Sequence, residues 1–194
     1  MNSHSIFVGG LCAMAVAIGG CSTTASTTAR PPAGALSMDA RRQIDDGYGE
    51  VLNRLYDTTP GSREMVRKAR AVLIFPSVVA AGFVVGGQFG DGELRVNGIV
   101  DSYYRTTTGS FGWQIGAQSR ALVFLFMTQD ALDRFRRSEG WAGGVDASVA
   151  ALTVGANGEL DANASRAPTV AFVMTNSGLM ANLTLQGTKV TRIE

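Results

Sequence analysis

The chain has 194 residues, 17 Lys and Arg against 16 Asp and Glu, and only one His and two Cys. A near-neutral balance without basic runs argues against a nucleic-acid protein held by phosphate contacts. Two cysteines, Cys12 and Cys21, are too few and too early in the chain for a disulfide framework, so a single domain of this length has to hold by packing.

In chain order, the first feature is an almost wholly apolar run from Ile6 to Ile18, in an N-terminus without Lys or Arg. It is too short for a transmembrane helix, which needs about 20 residues, and reads as the core of a signal peptide. The run ends in Ile18-Gly19-Gly20-Cys21, which resembles the bacterial lipobox. That resemblance implies removal of residues 1–20 and a diacylglyceryl thioether on Cys21, usually with a third, amide-linked chain. Two or three acyl chains anchor a protein durably where one is marginal. Ser22 after the cysteine resembles the pattern sorted to the outer membrane, so the expectation is a lipid-anchored protein with its domain facing the periplasm. Residues 21–36, rich in Ser, Thr, Ala and Pro, read as a flexible tether.

The folded domain is expected over residues 37–194. Ala40, Ile44, Tyr48, Val51, Leu52 and Leu55 recur at helical spacing behind Ser37 as N-cap, with Gly47 and Gly49 as weak points. Thr59-Pro60 suggests the start of a second helix running to about Ala69. Beyond Arg70 the chain turns to Val-, Ile-, Phe- and Thr-rich runs, read as strands near 71–75, 81–89, 93–101, 111–118, 120–127, 146–154, 169–175 and 179–186. Turns are expected at Gly90-Asp91-Gly92, Asn157-Gly158 and Asn176-Ser177-Gly178. A helix near 129–139 starts at Thr128 as N-cap, has Asp130 in its first turn, turns Leu132 and Phe135 inward, carries Arg134, Arg136 and Arg137 in its last turn and stops at Gly140. The fold class is therefore α+β, a predominantly antiparallel sheet, open or partly closed as a barrel, with N-terminal helices and one inserted helix.

Four runs then invite comparison: Val72-Leu73-Ile74-Phe75-Pro76, Ala81-Gly82-Phe83-Val84-Val85-Gly86-Gly87, Gly112-Trp113-Gln114-Ile115-Gly116-Ala117-Gln118-Ser119, and Ser177-Gly178-Leu179-Met180 with Leu185-Gln186-Gly187. In this order they resemble the SYLF domain, a lipid-binding domain of eukaryotic membrane-trafficking proteins and of many bacterial lipoproteins, over roughly residues 38–194. The eukaryotic members imply phosphoinositide binding and, in some, actin binding. For a bacterial envelope protein the implied function narrows to binding an anionic lipid or a related amphiphile.

Chemistry is sparse. Without residues 1–20 no His remains and the one Cys is acylated, which removes the parts for Ser-His-Asp or Cys-His catalysis, zinc sites and His-ligated haem. Asp45-Asp46 and Asp130 with Asp133 fit helix surfaces better than acid pairs, and Asp91 fits a turn better than a metal loop. Gly86-Gly87 and Gly143-Gly144 read as bulge, turn or loop glycines rather than a phosphate cradle. Trp113, Trp141, Tyr103, Tyr104 and Phe111 could form an aromatic rim or belong to the core.

Basic residues supply the one polar feature with a mechanism. Arg63, Arg67 and Arg70 at i, i+4 and i+7, with Lys68 nearby, would form a cationic stripe able to touch lipid headgroups. The expectation is a lipid-binding module that is not an enzyme and needs no cofactor or metal. It would meet membrane lipid through Cys21 and anionic phospholipid through Arg63, Arg67, Lys68 and Arg70. The alternatives are a structural or protein-interaction module of the envelope without lipid selectivity, and a carrier holding an acyl chain in a cavity.

Overall fold

A computed structural model describes residues 36–82, 85–111, 119–138, 141–143, 149–151, 167–175, 178–179 and 188–194. The segments expected to be a signal peptide and a tether, with Cys21, lie outside the described residues, apart from Leu36.

Helix α1 spans Met38–Thr58 and starts as its sequence predicts, with the Ser37 hydroxyl accepting the Ala40 N–H at 3.1 Å. Its apolar stripe buries Ile44, Tyr48, Val51 and Leu55. Gly47 is where the helix meets the sheet: a Cβ there would stand 2.6 Å from Pro76 Cβ, so only glycine permits the approach. Gly49 faces open space. Thr59 does not cap the next helix as expected; it closes α1, donating its N–H to Leu55 O at 3.0 Å. The short helix α2, Ser62–Lys68, instead starts behind Gly61 at φ 83°, and the buried Ser62 hydroxyl donates to Leu55 O at 3.0 Å. This ties the two helices together at their junction.

The strands are β1 Ala71–Gly82, β2 Val85–Val96, β3 Ile99–Phe111, β4 Ser119–Phe126, β5 Trp141–Gly143, β6 Val149–Ala151, β7 Thr169–Thr175, β8 Gly178–Leu179 and β9 Thr188–Arg192. They form one sheet in the order β5-β9-β3-β2-β1-β4-β7-β6, with β8 pairing β7. The six longer strands, β9 to β7 in that order, are antiparallel throughout; β6 pairs β7 in parallel. The α+β expectation therefore holds, and the sheet is open, not closed into a barrel.

Three sequence expectations for the strands need correction. The turn expected at Gly90-Asp91-Gly92 is instead the interior of β2, and the hairpin reverses at Asn97-Gly98, both with positive φ (52° and 81°), between the paired Val96 and Ile99. That is the pattern of a tight primed turn. Gly90 and Gly92 are there for closeness: β1 bulges between Ile74 and Val79, and a Cβ on Gly90 would stand 2.5 Å from Ser77 O, while one on Gly92 would run into Ile74 O. Second, β1 continues through Pro76, which sits in that bulge, where a missing N–H interrupts no ladder. Third, Gly86-Gly87 pair with Gly82 and Ala81 inside the β1–β2 ladder, and Gly143 belongs to β5. Strand β9 was not expected. The candidate turn Asn157-Gly158 and the region 112–118 lie outside the described residues.

Helix α3, Gln129–Arg137, has Thr128 as its N-cap, accepting the Ala131 N–H at 3.2 Å, and buries Leu132 and Phe135 as predicted. It ends at Ser138, before Gly140. Because α1 and α2 cover one face of the sheet and α3 the other, the central strands are buried on both sides. That is why β4 reads Ala-Leu-Val-Phe-Leu-Phe without polar alternation.

Candidate functional site

The cations expected to form a stripe are placed by α2 and its exit. The Arg63 guanidinium lies over the Tyr56 ring, 4.1 Å from its centroid. Arg67 and Lys68 both reach Glu64, at 2.5 and 3.3 Å, and their hydrogen bonds, Arg67's first, hold its carboxyl below the ordinary range. Arg70 does not continue the stripe. The helix stops at Lys68, Ala69 is extended, and the Arg70 N–H donates to Phe126 O at 2.7 Å as the chain enters β1. All four side chains belong to exposed residues.

The residue that sequence reasoning missed is Arg95. On β2 its Nε donates to Glu93 Oε1 at 2.6 Å, its Nη2 reaches Asp45 on α1, and its guanidinium lies 4.0 Å from the centroid of Tyr48. Glu93 is fully buried, and its Oε2 has no hydrogen-bond partner among the described residues. Burial pushes the Glu93 carboxyl up while Arg95 pulls it down; burial likewise raises Tyr48, and raises Tyr103, which pairs with Glu93 across the strands. A signal was present in the sequence: Glu93 and Arg95 are two apart, so on a strand they share a face. The misplaced turn at residues 90–92 concealed it.

Arg95 and Arg67 line the same cleft, of about 320 Å³, between α1, α2 and the β2–β3 turn. Leu52, Val66, Ala69 and Val72 supply apolar wall, with Tyr48, Asn97 and Gly98. The turn then leads directly into Ile99, 74% exposed, and exposed Val100. One end of the molecule thus combines cations, an apolar-walled hollow and an uncovered apolar tip.

Other sequence candidates are accounted for structurally. Asp91 is neither a turn nor a metal-loop residue; Arg105 opposite it on β3 holds it with two hydrogen bonds of 2.6 and 2.8 Å. Asp130 pairs with Arg134 within α3, Asp133 accepts from Gln129, and Arg136 reaches Asp101. Of the aromatic-rim candidates, Tyr103 and Tyr104 do not come together: Tyr104 is buried against Phe135, whereas Tyr103 is half-buried on the opposite face near Arg41. Trp113 lies outside the described residues. Among the described residues no group of His, Cys, Asp and Glu is arranged to hold a metal, and no helix is long and apolar enough to cross a membrane.

Compared with known proteins, residues 107–193 match a family model described as Ysc84, Las17-binding protein actin regulator. No curated protein matches the chain. The match begins within β3 and includes β4, α3 and the later strands, while β1 and β2 precede it. Yet β2 and β1 lie between β3 and β4 in the sheet, so the matched strands do not form the sheet without them. The structural domain therefore extends N-terminal to the match.

Proposed function

We propose, on the premise that this chain belongs to the SYLF family through residues 107–193, that it is a membrane-anchored envelope lipoprotein whose domain binds anionic lipid. The family is known for lipid-binding or actin-regulating domains, and the lipid branch suits a chain carrying a lipobox-like Ile18-Gly19-Gly20-Cys21. In this reading Cys21 holds the protein at the outer membrane, residues 22–36 supply reach, and the domain recognises rather than transforms its ligand.

The observation that carries the reading is the exposure of Arg63, Arg67, Lys68 and Arg70 on α2 and its exit, Arg67 among them lining the cleft, together with the uncovered Ile99 and Val100 at the hairpin tip. Each basic group close to an anionic surface contributes about 1 kcal/mol, and the tip adds apolar contact. Arg67 and Lys68 share Glu64, which offsets part of that attraction. Co-sedimentation of the domain from residue 37 onward with vesicles tests the proposal. Binding is expected to anionic vesicles over neutral ones, to weaken with salt, and to fall when all four basic residues become Ala. Equal binding to both vesicle types contradicts it.

A further inference from the structure

We propose that the cleft between α1, α2 and the β2–β3 turn is a site for one single-chain anionic amphiphile, its carboxylate or phosphate head meeting Arg95 and Arg67 and its chain lying along Leu52, Val66 and Val72. The inference rests on the lipid-binding reading above and narrows it to one place and one ligand class.

Three observations converge on that occupant. The hollow, about 320 Å³, lies within the range of small-molecule sites, and its walls join apolar side chains, Leu52, Val66 and Val72, to two arginines. A bare anion would leave those walls wet, and an uncharged amphiphile would gain nothing from the two guanidinium groups beside it, Arg67 paired with exposed Glu64 and Arg95 with Glu93 and Asp45. Next, the two cations come from different elements, Arg67 from α2 and Arg95 from β2. Arg95 is held ready: its guanidinium lies over the Tyr48 ring, and buried Glu93 fixes its Nε. Its other partner, Asp45, is exposed on α1, so an incoming head can replace Asp45 at Nη2 while Glu93 stays in place. The fork geometry of arginine suits carboxylate and phosphate oxygens alike. Lastly, Gly98 lines the cleft and Ile99 next to it is uncovered, which gives an acyl chain an apolar approach from a bilayer.

The probe is dodecyl phosphate below its micellar concentration, titrated calorimetrically into the full-length chain carrying Cys21→Ser so that no attached acyl group competes. Dodecyl maltoside has the same chain with an uncharged head, and inorganic phosphate has the head alone. One dodecyl phosphate per chain is expected, at least about tenfold tighter than either control, as one charge-assisted hydrogen bond provides. Ala69→Phe, which fills the cleft without touching a charge, is expected to abolish uptake. Arg67→Ala is expected to weaken it by about threefold to tenfold, the range for a partly exposed ion pair. Because Arg95→Met alone strands Glu93, it is tested together with Glu93→Gln, and the double variant is expected to lose at least about tenfold. Equal affinity for the two heads, phosphate binding as tight as dodecyl phosphate, or uptake untouched by Ala69→Phe overturns the proposal. Binding to anionic vesicles without uptake of dodecyl phosphate overturns the cleft assignment and leaves the headgroup reading standing, whereas loss of both overturns both.

Discussion

The two faces of this sheet share the same strands but are filled differently. Under α3, Phe75 and Phe124 meet edge-to-face at 6.2 Å, and Tyr104 and Phe126 each lie 4.8 Å from Phe135. Under α1, Ile74, Val123, Phe172 and Met174 begin an equally apolar layer, but at β2 it gives way to Glu93 and Arg95 beneath Tyr48. A buried ion pair adds little stability over apolar groups of the same volume. Packing alone therefore explains the α3 face, while the β2 end of the α1 face calls for another reason, which the adjoining cleft supplies under the function proposed above.

That contrast can be broken on either side. The largest effect is expected from Phe124→Ala, which empties part of the α3 face and costs about 3–5 kcal/mol in urea denaturation. Ligand binding per folded molecule stays unchanged. On the other face, Arg95→Ala strands the Glu93 carboxylate and costs about 3 kcal/mol, at the low end for a broken buried pair because Arg95 reaches the surface. Adding Glu93→Gln is expected to recover much of that loss, whereas a purely apolar role for the Arg95 stem predicts no recovery.

The α1 contact sharpens the comparison at smaller scale. Gly47→Ala forces a methyl group into Pro76 and is expected to destabilise by about 1–3 kcal/mol, while Gly49→Ala, with no neighbour to meet, stabilises by up to about 1 kcal/mol. Thermal melts of the two variants should therefore shift in opposite directions.

The smallest expected effect is on pH dependence. Burial raises the folded-state pKa of Glu93 above its ordinary 4.5, against the pull of Arg95; Asp45 and Tyr48 face it from α1 and Tyr103 from β3. The folded chain then binds this proton more readily than the unfolded chain does. Its contribution to stability is complete below that ordinary value, which the unfolded chain keeps, and is lost as pH rises through the folded value. The difference in unfolding free energy between the parent chain and Glu93→Gln is expected to slope in that direction. A flat difference excludes Glu93 as the titrating group.

Much of this architecture was legible because local chemistry and tertiary packing agree. Ser37 and Thr128 cap the helices their sequences mark, and the Ile44-Tyr48-Val51-Leu55 stripe is the face that α1 buries. Legibility failed where one residue type serves two purposes. Glycine marks both a reversal and a close approach, so Gly90 and Gly92 read as a turn although they make room for the β1 bulge, and the true reversal at Asn97-Gly98 was passed over. For the site, Arg67 was legible on its helix, but Arg95 depended on strand register. The cationic stripe failed at Arg70 because Ala69 leaves the helix to feed β1.

The most direct test of the central claim is hydrogen-exchange protection of the backbone amides, measured with and without anionic vesicles. Recognition through the α2 and β2–β3 hairpin end predicts slowed exchange at residues 61–70 and 95–100, with α3 unchanged. Protection confined to α3 or to the β5–β9 edge contradicts it.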